Sequence, residues 1–461
     1  CPEFIPSHTE RMREMQLYAL LENNAKTSLP DMEITGLTDD SRKVQPGMLF
    51  ACIRGERFDG HTAAKDVLER GAAAVLADHD LGLGDRQILT EDTRALYGKL
   101  CAAWFGHPER KMRFIGVTGT NGKTTITNLI KHILTENGHK VGLIGTIQNE
   151  IGDEIIHTDN TTPFVYDLMA LYARMAEAGC DDVVMEVSSF GLVQQRIGET
   201  HFAAAAFTNL TQDHLDYHGT MENYYQAKKL LFQRCDTAII DTDDEYGKRL
   251  YGEVTCPRIS YGSSSGKSYP VNLHLTGMFN VSNALAAVAS CHAVGLSMRE
   301  IRTALETCTG VRGRCEVIPT GRDFTVICDY AHTPDAVENI LRSVKEYTKG
   351  RLICLFGCGG NRDATKRPKM AKAAAKYADF LVITSDNPRD EEPEAIVADI
   401  LTGLEGSDVP YEVVIDRKDA ILRSMQMAQP GDVIVLAGKG HEDYQVLKNG
   451  VHIHMDEREI V

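Results

Sequence analysis

Residues 113–128, RFIGVTGTNGKTTITN, constrain the fold more than any other stretch. An apolar run (Phe114, Ile115, Val117) enters a turn with glycines at 116, 119 and 122. Lys123, Thr124 and Thr125 close the turn, and Ile126, Leu129, Ile130, Ile133 and Leu134 follow at helical spacing. The pattern predicts a strand, a phosphate loop and a helix. In such a unit the loop and helix N-terminal N–H groups hold phosphate oxygens. Lys123 adds a positive charge, and the Thr124 hydroxyl suits Mg2+. The strict form of the loop, G-x-x-x-x-G-K-[ST], needs glycine at 117, where this chain has valine, so the loop is a variant. An ordinary glycine-rich βα turn is the plainer reading. Lys-Thr directly after the last glycine weighs against it.

The pattern around this loop alternates. Strands are expected at 141–144, 182–187, 203–210 and 238–241, with helices at 166–178, 221–233 and 280–294. Such alternation builds a parallel sheet covered on both faces. After residue 310 it starts afresh, with strands at 326–330, 352–357, 380–384, 411–415 and 433–437. Helices fit between them at 335–347, 369–378, 393–404 and 417–428, which predicts a second parallel sheet with its own core. Ahead of the loop lies a smaller mixed unit, with helices at 12–23 and 61–70 and strands at 32–37, 48–53 and 72–77. Residues 1–11 read as neither helix nor strand and are set aside as added sequence ahead of Met12. The chain therefore reads as α/β with three domains, at 1–108, 109–311 and 312–461.

Composition narrows the partners. A formal net charge of −16 argues against a general nucleic-acid binder. It leaves room for a local basic pocket. The 12 cysteines are scattered, and Cys354 and Cys358 lack a partner pair at zinc spacing. They read as reduced core residues of a cytoplasmic protein. No apolar run approaches the ~20 residues of a membrane span, so no membrane insertion is expected.

Polar clusters fall where the expected strands end, which is where ligands enter such sheets. Glu186 closes one strand, and Ser188, Ser189, Gln194 and Arg196 follow. The plain readings are a helix cap for the serines and a solvated arginine. Asn209–His218 gathers two His and two Asp after an apolar strand, which raises a functional reading. Lys228 lies in the next helix, and spacing alone favours a solvated face for it. Asn160, Thr161 and Thr162 precede a helix, as a capping turn or a ligand contact. In the last domain, three loops follow predicted strands: Gly357–Asp363, Asp386–Arg389 and Gly438–Glu442. Lys366, Arg367 and Lys369 stand near the first, and its arginines suit a carboxylate or phosphate. Three polar strand ends on one sheet edge suggest a second ligand site.

Taken together, Gly119-Thr120-Asn121-Gly122-Lys123-Thr124-Thr125, Glu186-Val187-Ser188-Ser189 and Asp213-His214-Leu215-Asp216-Tyr217-His218 resemble the Mur ligases. So does Asp329-Tyr330-Ala331-His332-Thr333-Pro334. Asp386-Asn387-Pro388-Arg389 and the Gly438–Glu442 run resemble the branch that adds the third residue of the peptidoglycan peptide. The resemblance covers essentially everything after Met32. It implies a small N-terminal domain binding the UDP end of a sugar nucleotide and a central P-loop ATPase domain. It also implies a C-terminal, Rossmann-like domain bringing an amino acid. The implied reaction is ATP-dependent amide formation on UDP-N-acetylmuramoyl-L-alanyl-D-glutamate, by a monomer.

The resemblance also implies roles. Gly119, Thr120, Asn121, Gly122, Lys123, Thr124 and Thr125 bind ATP, Asn280 and Asn283 contact adenine, and Arg314 and Asp329 reach ATP from the third domain. Thr124 and Glu186 hold Mg2+, His214 holds a second ion, and Lys228 matches a carbamylated, metal-facing lysine. Ser41 matches a uridine-side contact, and Asn160, Thr161, Thr162, Ser188, Gln194 and Arg196 match contacts to the muramoyl peptide. Arg362, Asp386, Asn387, Pro388, Arg389, Gly438 and Glu442 match the amino-acid site. Arg389 selects meso-diaminopimelate, because its second carboxylate accepts a bidentate guanidinium and lysine has none. Between residues 261–265 and 275–277 the chain is short for the family, and 266–270 reads as a junction across missing sequence. Rival readings are a lysine-adding relative, a folylpolyglutamate synthetase, or a nucleotide switch. The residues 386–389 and the Glu186–His214 set give a switch no use.

Overall fold

The computed structural model describes residues 14–55, 58–158, 160–262, 271–273, 275 and 277–461. The expectations for residues 1–11 and 266–270 lie outside these described residues. The chain divides into two compact units, Cys1–Gly116 with His139–Ala203, and Val117–Gly138 with Ala204–Val461. The division cuts through the strand Arg113–Thr118 that enters the phosphate loop.

In the first unit, strands Gly36–Thr38, Met48–Ala51, Ala74–Ala77 and Gln87–Leu89 form a parallel sheet in that order. Phe50 and Val75 pack against Val67 and Leu68 of helix Ala64–Glu69. A further helix, Thr93–Trp104, starts where the Asp92 carboxylate accepts from the Ala95 N–H. The helix expected at 12–23 shrinks to Leu17–Leu21, preceded by a strand that pairs Met15 with Ile34. The strand expected at 32–37 is two, Glu33–Ile34 and Gly36–Thr38. Strands Val141–Ile144 and Asp182–Glu186 run parallel and are buried throughout, as a sheet covered on both faces requires. The hairpin Asn149–Ile151 and Glu154–Ile156 adds two antiparallel strands beside them.

In the second unit, helix Lys123–Glu136 packs on helices Met278–Ala293 and Met298–Leu305. The Ala-rich face of the former permits close approach. Strand Cys235–Asp241 pairs in parallel with Arg258–Tyr261. The expected helix at 221–233 is Met221–Lys229, then a 3₁₀ turn, Leu230–Gln233. A six-stranded sheet follows, in the order Glu316–Ile318, Thr325–Asp329, Val433–Ala437, Leu352–Phe356, Phe380–Ile383 and Tyr411–Val413. It is parallel except for the first strand, an antiparallel edge. One face buries Ile327, Cys354, Phe356 and Val435 under helices Pro334–Lys345, Lys366–Ala375 and Pro393–Leu401. The other buries Ile353, Leu355 and Ile434 under helix Arg417–Met427. Three neighbouring strands thus deliver the loops after Ala437, Phe356 and Ile383 to one edge, as the sequence predicts.

Two of those loops share a clamp. Arg417 and Glu457 are fully excluded from water and pair at 2.8 Å. Arg417 also donates to the carbonyls of Ser385 (3.3 Å) and Ala437 (2.9 Å), the residues just before Asp386 and Gly438. Breaking a buried pair strands a charge and costs about 3–5 kcal/mol. We therefore expect Arg417→Met to lower the urea midpoint strongly. Arg417→Met combined with Glu457→Gln should recover part of the loss. A single variant that unfolds at the wild-type midpoint would contradict this.

Candidate active site

The phosphate loop is built by close backbone approach. Gly119 has φ +143° and Gly122 φ +89°, both in the region that favours glycine. A Cβ at Gly119 would collide with the Thr208 hydroxyl, and one at Gly122 would sit 2.5 Å from Asn283 Oδ1. The Thr120 N–H donates to Asn209 O (2.9 Å) and the Asn121 N–H to Asn209 Oδ1 (2.9 Å). Asn209 and Thr208 thus fix the loop's shape, a role their place after the strand Phe202–Phe207 did not reveal. Asn283 and Asn280 are buried and bonded to each other (2.9 Å). Thr125 is buried in the first helical turn.

Three basic side chains crowd this loop. Lys123 Nζ donates to the carbonyls of Gly119 (3.0 Å) and Thr120 (2.8 Å). Lys228 is not on a solvated face, because it is 1% exposed and donates to Gly119 O at 2.7 Å. It shares the buried side of its helix with Tyr224, Tyr225 and Ala227. Burial, then repulsion from Lys123, pushes its amine well below the ordinary lysine range. Arg314 Nη2 donates to Thr124 Oγ1 (2.9 Å), and Asn121 Nδ2 to Asp335 Oδ2 (2.8 Å). His214, with φ 53°, lies 3.3 Å from Asp213. Burial, helped by Lys123, Lys228 and Lys366, pushes the His214 imidazole down to about 4 against the pull of Asp213. Burial would raise the Asp213 carboxyl, but His214, Lys366 and His332 outweigh it and hold the carboxyl well below the usual range. Asp329 accepts from the Cys315 N–H (2.6 Å), and burial raises its carboxyl despite Arg314.

A second network lies in the first unit. Glu186 is 1% exposed and accepts from the Thr146 N–H (2.9 Å) and hydroxyl (3.0 Å). The Thr146 and Thr161 hydroxyls meet at 3.0 Å. Thr162 Oγ1 donates to Glu186 O (3.0 Å) and accepts from the Ser188 N–H (3.0 Å). Ser188 Oγ caps its helix by accepting from the Gly191 N–H, as the plain reading had it. Arg196 is not a solvated arginine. It donates to Gln194 Oε1 (2.8 Å), Thr162 O (2.8 Å) and Asn160 Oδ1 (3.4 Å), and lies over the Phe164 ring. Glu186, Asn160, Thr161, Thr162, Ser188, Gln194 and Arg196 thus join one network. Thr146 was missed, although Gly145-Thr146 directly after a strand is a signal for such a place. Ser41 stands apart, in the 3₁₀ turn Ser41–Lys43, where its carbonyl accepts from Arg70 (2.6 Å).

The third group sits at the six-stranded sheet's edge. Asn387 Nδ2 donates to Glu442 Oε2 (3.0 Å), and Lys439 Nζ donates to Asn387 Oδ1 (2.6 Å) and Glu442 Oε2 (2.8 Å). Glu442 is thereby already paired with a fully buried lysine, which the sequence reading did not anticipate. Burial would raise the Asp386 carboxyl, but Lys439 and Arg417 hold it below the usual range. Gly438 has φ +117°, and a Cβ there would lie 2.7 Å from Asp386 Oδ2. Arg389, with φ 53°, donates from Nη1 to Gly360 O (3.0 Å) and Asn387 O (3.4 Å). Pro388, just before it, accepts from the Glu391 N–H through its carbonyl (3.1 Å). Burial and then the like charge of Arg362 lower the Arg389 guanidinium. Arg367 is no ligand donor in waiting, since it pairs with Glu391 and Asp399 at 2.8 Å each.

Comparison with known proteins supports the architecture. The Mur ligase middle domain profile matches residues 117–269. The Mur ligase glutamate ligase domain matches 313–440, and the Mur ligase family catalytic domain 33–99. The chain is 43% identical to a UDP-N-acetylmuramoyl-L-alanyl-D-glutamate–2,6-diaminopimelate ligase of Syntrophomonas wolfei, over 93% of this chain and 94% of the relative. It is 44% identical to the ligase of the same name from Aquifex aeolicus, over 93% of each chain. A solved structure bearing that ligase name aligns at a TM-score of 0.69 and 30% identity, over 97% of this chain and 98% of the other. Whole-length identity at this level, on a three-domain α/β architecture with parallel sheets, places the chain in the Mur ligase family.

Proposed function

We propose that this chain is an ATP-dependent amide ligase that joins meso-diaminopimelate to UDP-N-acetylmuramoyl-L-alanyl-D-glutamate during peptidoglycan precursor synthesis. One observation carries the choice of amino acid. Arg389 is half-buried beside the like charge of Arg362, an arrangement that a bound carboxylate relieves. Diaminopimelate offers that second carboxylate.

Residues 1–108 take the UDP end, 109–311 the ATP and 312–461 the amino acid. Asn160, Thr161, Thr162, Ser188, Gln194 and Arg196 orient the muramoyl dipeptide. An oxygen of its D-Glu γ-carboxylate attacks the γ-phosphorus of ATP, and ADP leaves. The amine of diaminopimelate then attacks the acyl carbon. The tetrahedral intermediate collapses with loss of phosphate and a proton, leaving the amide. A carboxylate is a poor acyl donor, and phosphorylation gives it a leaving group. Lys123 offsets the repulsion between the two anions.

Mg2+ fits the donor set. The buried Glu186 carboxylate is an oxygen ligand that would hold Mg2+, as would the Thr124 hydroxyl, and the imidazole kept neutral by its surroundings at His214 would hold a second ion. When bound, the ion supplies neutralising charge to the transferring phosphoryl group. Lys228, whose amine burial pushes well below the ordinary lysine range, would add CO2 and release a proton, giving a carbamate suited to hold a metal ion. Among the described residues, no helix is long and apolar enough to cross a membrane. Among the described residues no cysteine is in a disulfide, which suits a reducing, cytoplasmic setting, and we propose a monomer.

The test is ADP release and product mass with UDP-N-acetylmuramoyl dipeptide and either diaminopimelate or L-lysine. Diaminopimelate should turn over much faster. Faster turnover with lysine would overturn the assignment.

A further inference from the structure

A cluster that none of the roles proposed above uses lies at the small parallel sheet of the first unit. His61, Asp78 and His79 bring one donor atom each within 4.8 Å of one another. His61 Nε2 lies 3.1 Å from Asp78 Oδ1, and His79 Nδ1 lies 2.5 Å from the same oxygen. The two imidazole rings stand 4.9 Å apart, tilted by 32°. We infer that His61, Asp78 and His79 form a binding site for a zinc-class divalent cation.

The donor set and spacing support this. Two imidazoles and one carboxylate are ligands of zinc, cobalt and nickel rather than of magnesium or calcium. A tetrahedral ion with bonds of about 2.0–2.1 Å holds its donors about 3.3 Å apart, so small side-chain adjustments complete the tripod. A water takes the fourth position. The outer shell is already in place, because His61 Nδ1 lies 2.6 Å from Asp59 Oδ1. With Asp59 holding Nδ1, Nε2 is the ring nitrogen turned toward Asp78, whose N–H it meets at 3.4 Å, the arrangement that orients metal-binding histidines elsewhere. His61 is nearly buried, with 5% side-chain exposure, so its ring is held by packing. His79 is about half exposed, which opens a path for the ion.

Charge favours a cation as well. Asp59 and Asp78 flank His61 on its two sides. Arg54 approaches both, at 3.2 Å and 3.7 Å, but its side chain is 61% exposed and free to swing into water. The ion would tie the turn at Asp59–His61 to the end of strand Ala74–Ala77. It would therefore brace the sheet.

The probe is Co2+ added to chelator-treated full-length protein in excess Mg2+, read by visible d–d absorption and equilibrium dialysis. Wild-type protein should bind one equivalent with a band typical of low-coordinate His and carboxylate ligation. His79→Ala, which removes an exposed side chain, should lose that equivalent while keeping wild-type ligase turnover. Asp59→Asn should weaken binding by about 10–100-fold, as loss of an outer-shell partner does. Zn2+ should displace the Co2+ band. No binding by the wild type, or equal binding by wild type and His79→Ala, would overturn the proposal.

Discussion

Lys228→Ala should lower ligase turnover by about 10³-fold, the scale of losing a charge-stabilising group at the reacting phosphoryl. The side chain is sealed from water and bonded to Gly119 O inside the phosphate loop. An ammonium there would face Lys123 in a low-dielectric setting, and burial together with that repulsion pushes the amine well below the ordinary lysine range. A neutral amine is the form that captures CO2. Lys228→Arg should be as inactive as Lys228→Ala, because a guanidinium stays charged and forms no carbamate. Short carboxylic acids should restore part of the alanine variant's activity by placing a carboxylate in the space left behind. Phosphate release with and without added acetate reads this directly. A Lys228→Ala enzyme near the wild-type rate, or an active arginine variant, would remove Lys228 from the chemistry.

The second large effect is expected at Arg389. Arg389→Ala should lower kcat/KM for diaminopimelate by about 10²-fold or more, since two charge-assisted hydrogen bonds of about 1.5–3 kcal/mol each are lost. The already low rate with L-lysine should change little, as lysine has no second carboxylate. Arg389→Lys should not rescue, because an ammonium cannot make the planar two-bond contact. The backbone around Arg389 should survive these changes. Its N–H is held by Val446 O at 3.1 Å, independently of the side chain. Steady-state kinetics with both amino acids separate this from misfolding. Equal losses for the two substrates would refute a selective role.

The sequence disclosed the parallel sheets because strands such as Leu352–Phe356 and Val433–Ala437 are unbroken apolar runs between helical patterns. It disclosed the strand-end loops for the same reason. It misplaced Lys228, because a lysine's polarity says nothing about which side of its helix is covered. It missed Thr146, and the pairing of Lys439 with Glu442, because such partners are chosen by packing between distant segments. Arg367 was overvalued for a related reason. Its neighbours in sequence are basic, while its partners Glu391 and Asp399 lie 24 and 32 residues on. The short edge strands and hairpins carry too few residues to register as periodic.

The phosphate loop's distant tethers have a consequence for biosynthesis. Asn121 bonds to Asp335, 214 residues later, and Thr124 to Arg314, 190 residues later. A ribosome therefore releases the loop long before it releases these partners. Contacts so far apart in sequence close last, since the intervening chain must first be ordered. A nascent chain ending before residue 314 would hold a nucleotide loop lacking both tethers. Chains truncated before Arg314 should therefore turn ATP over poorly.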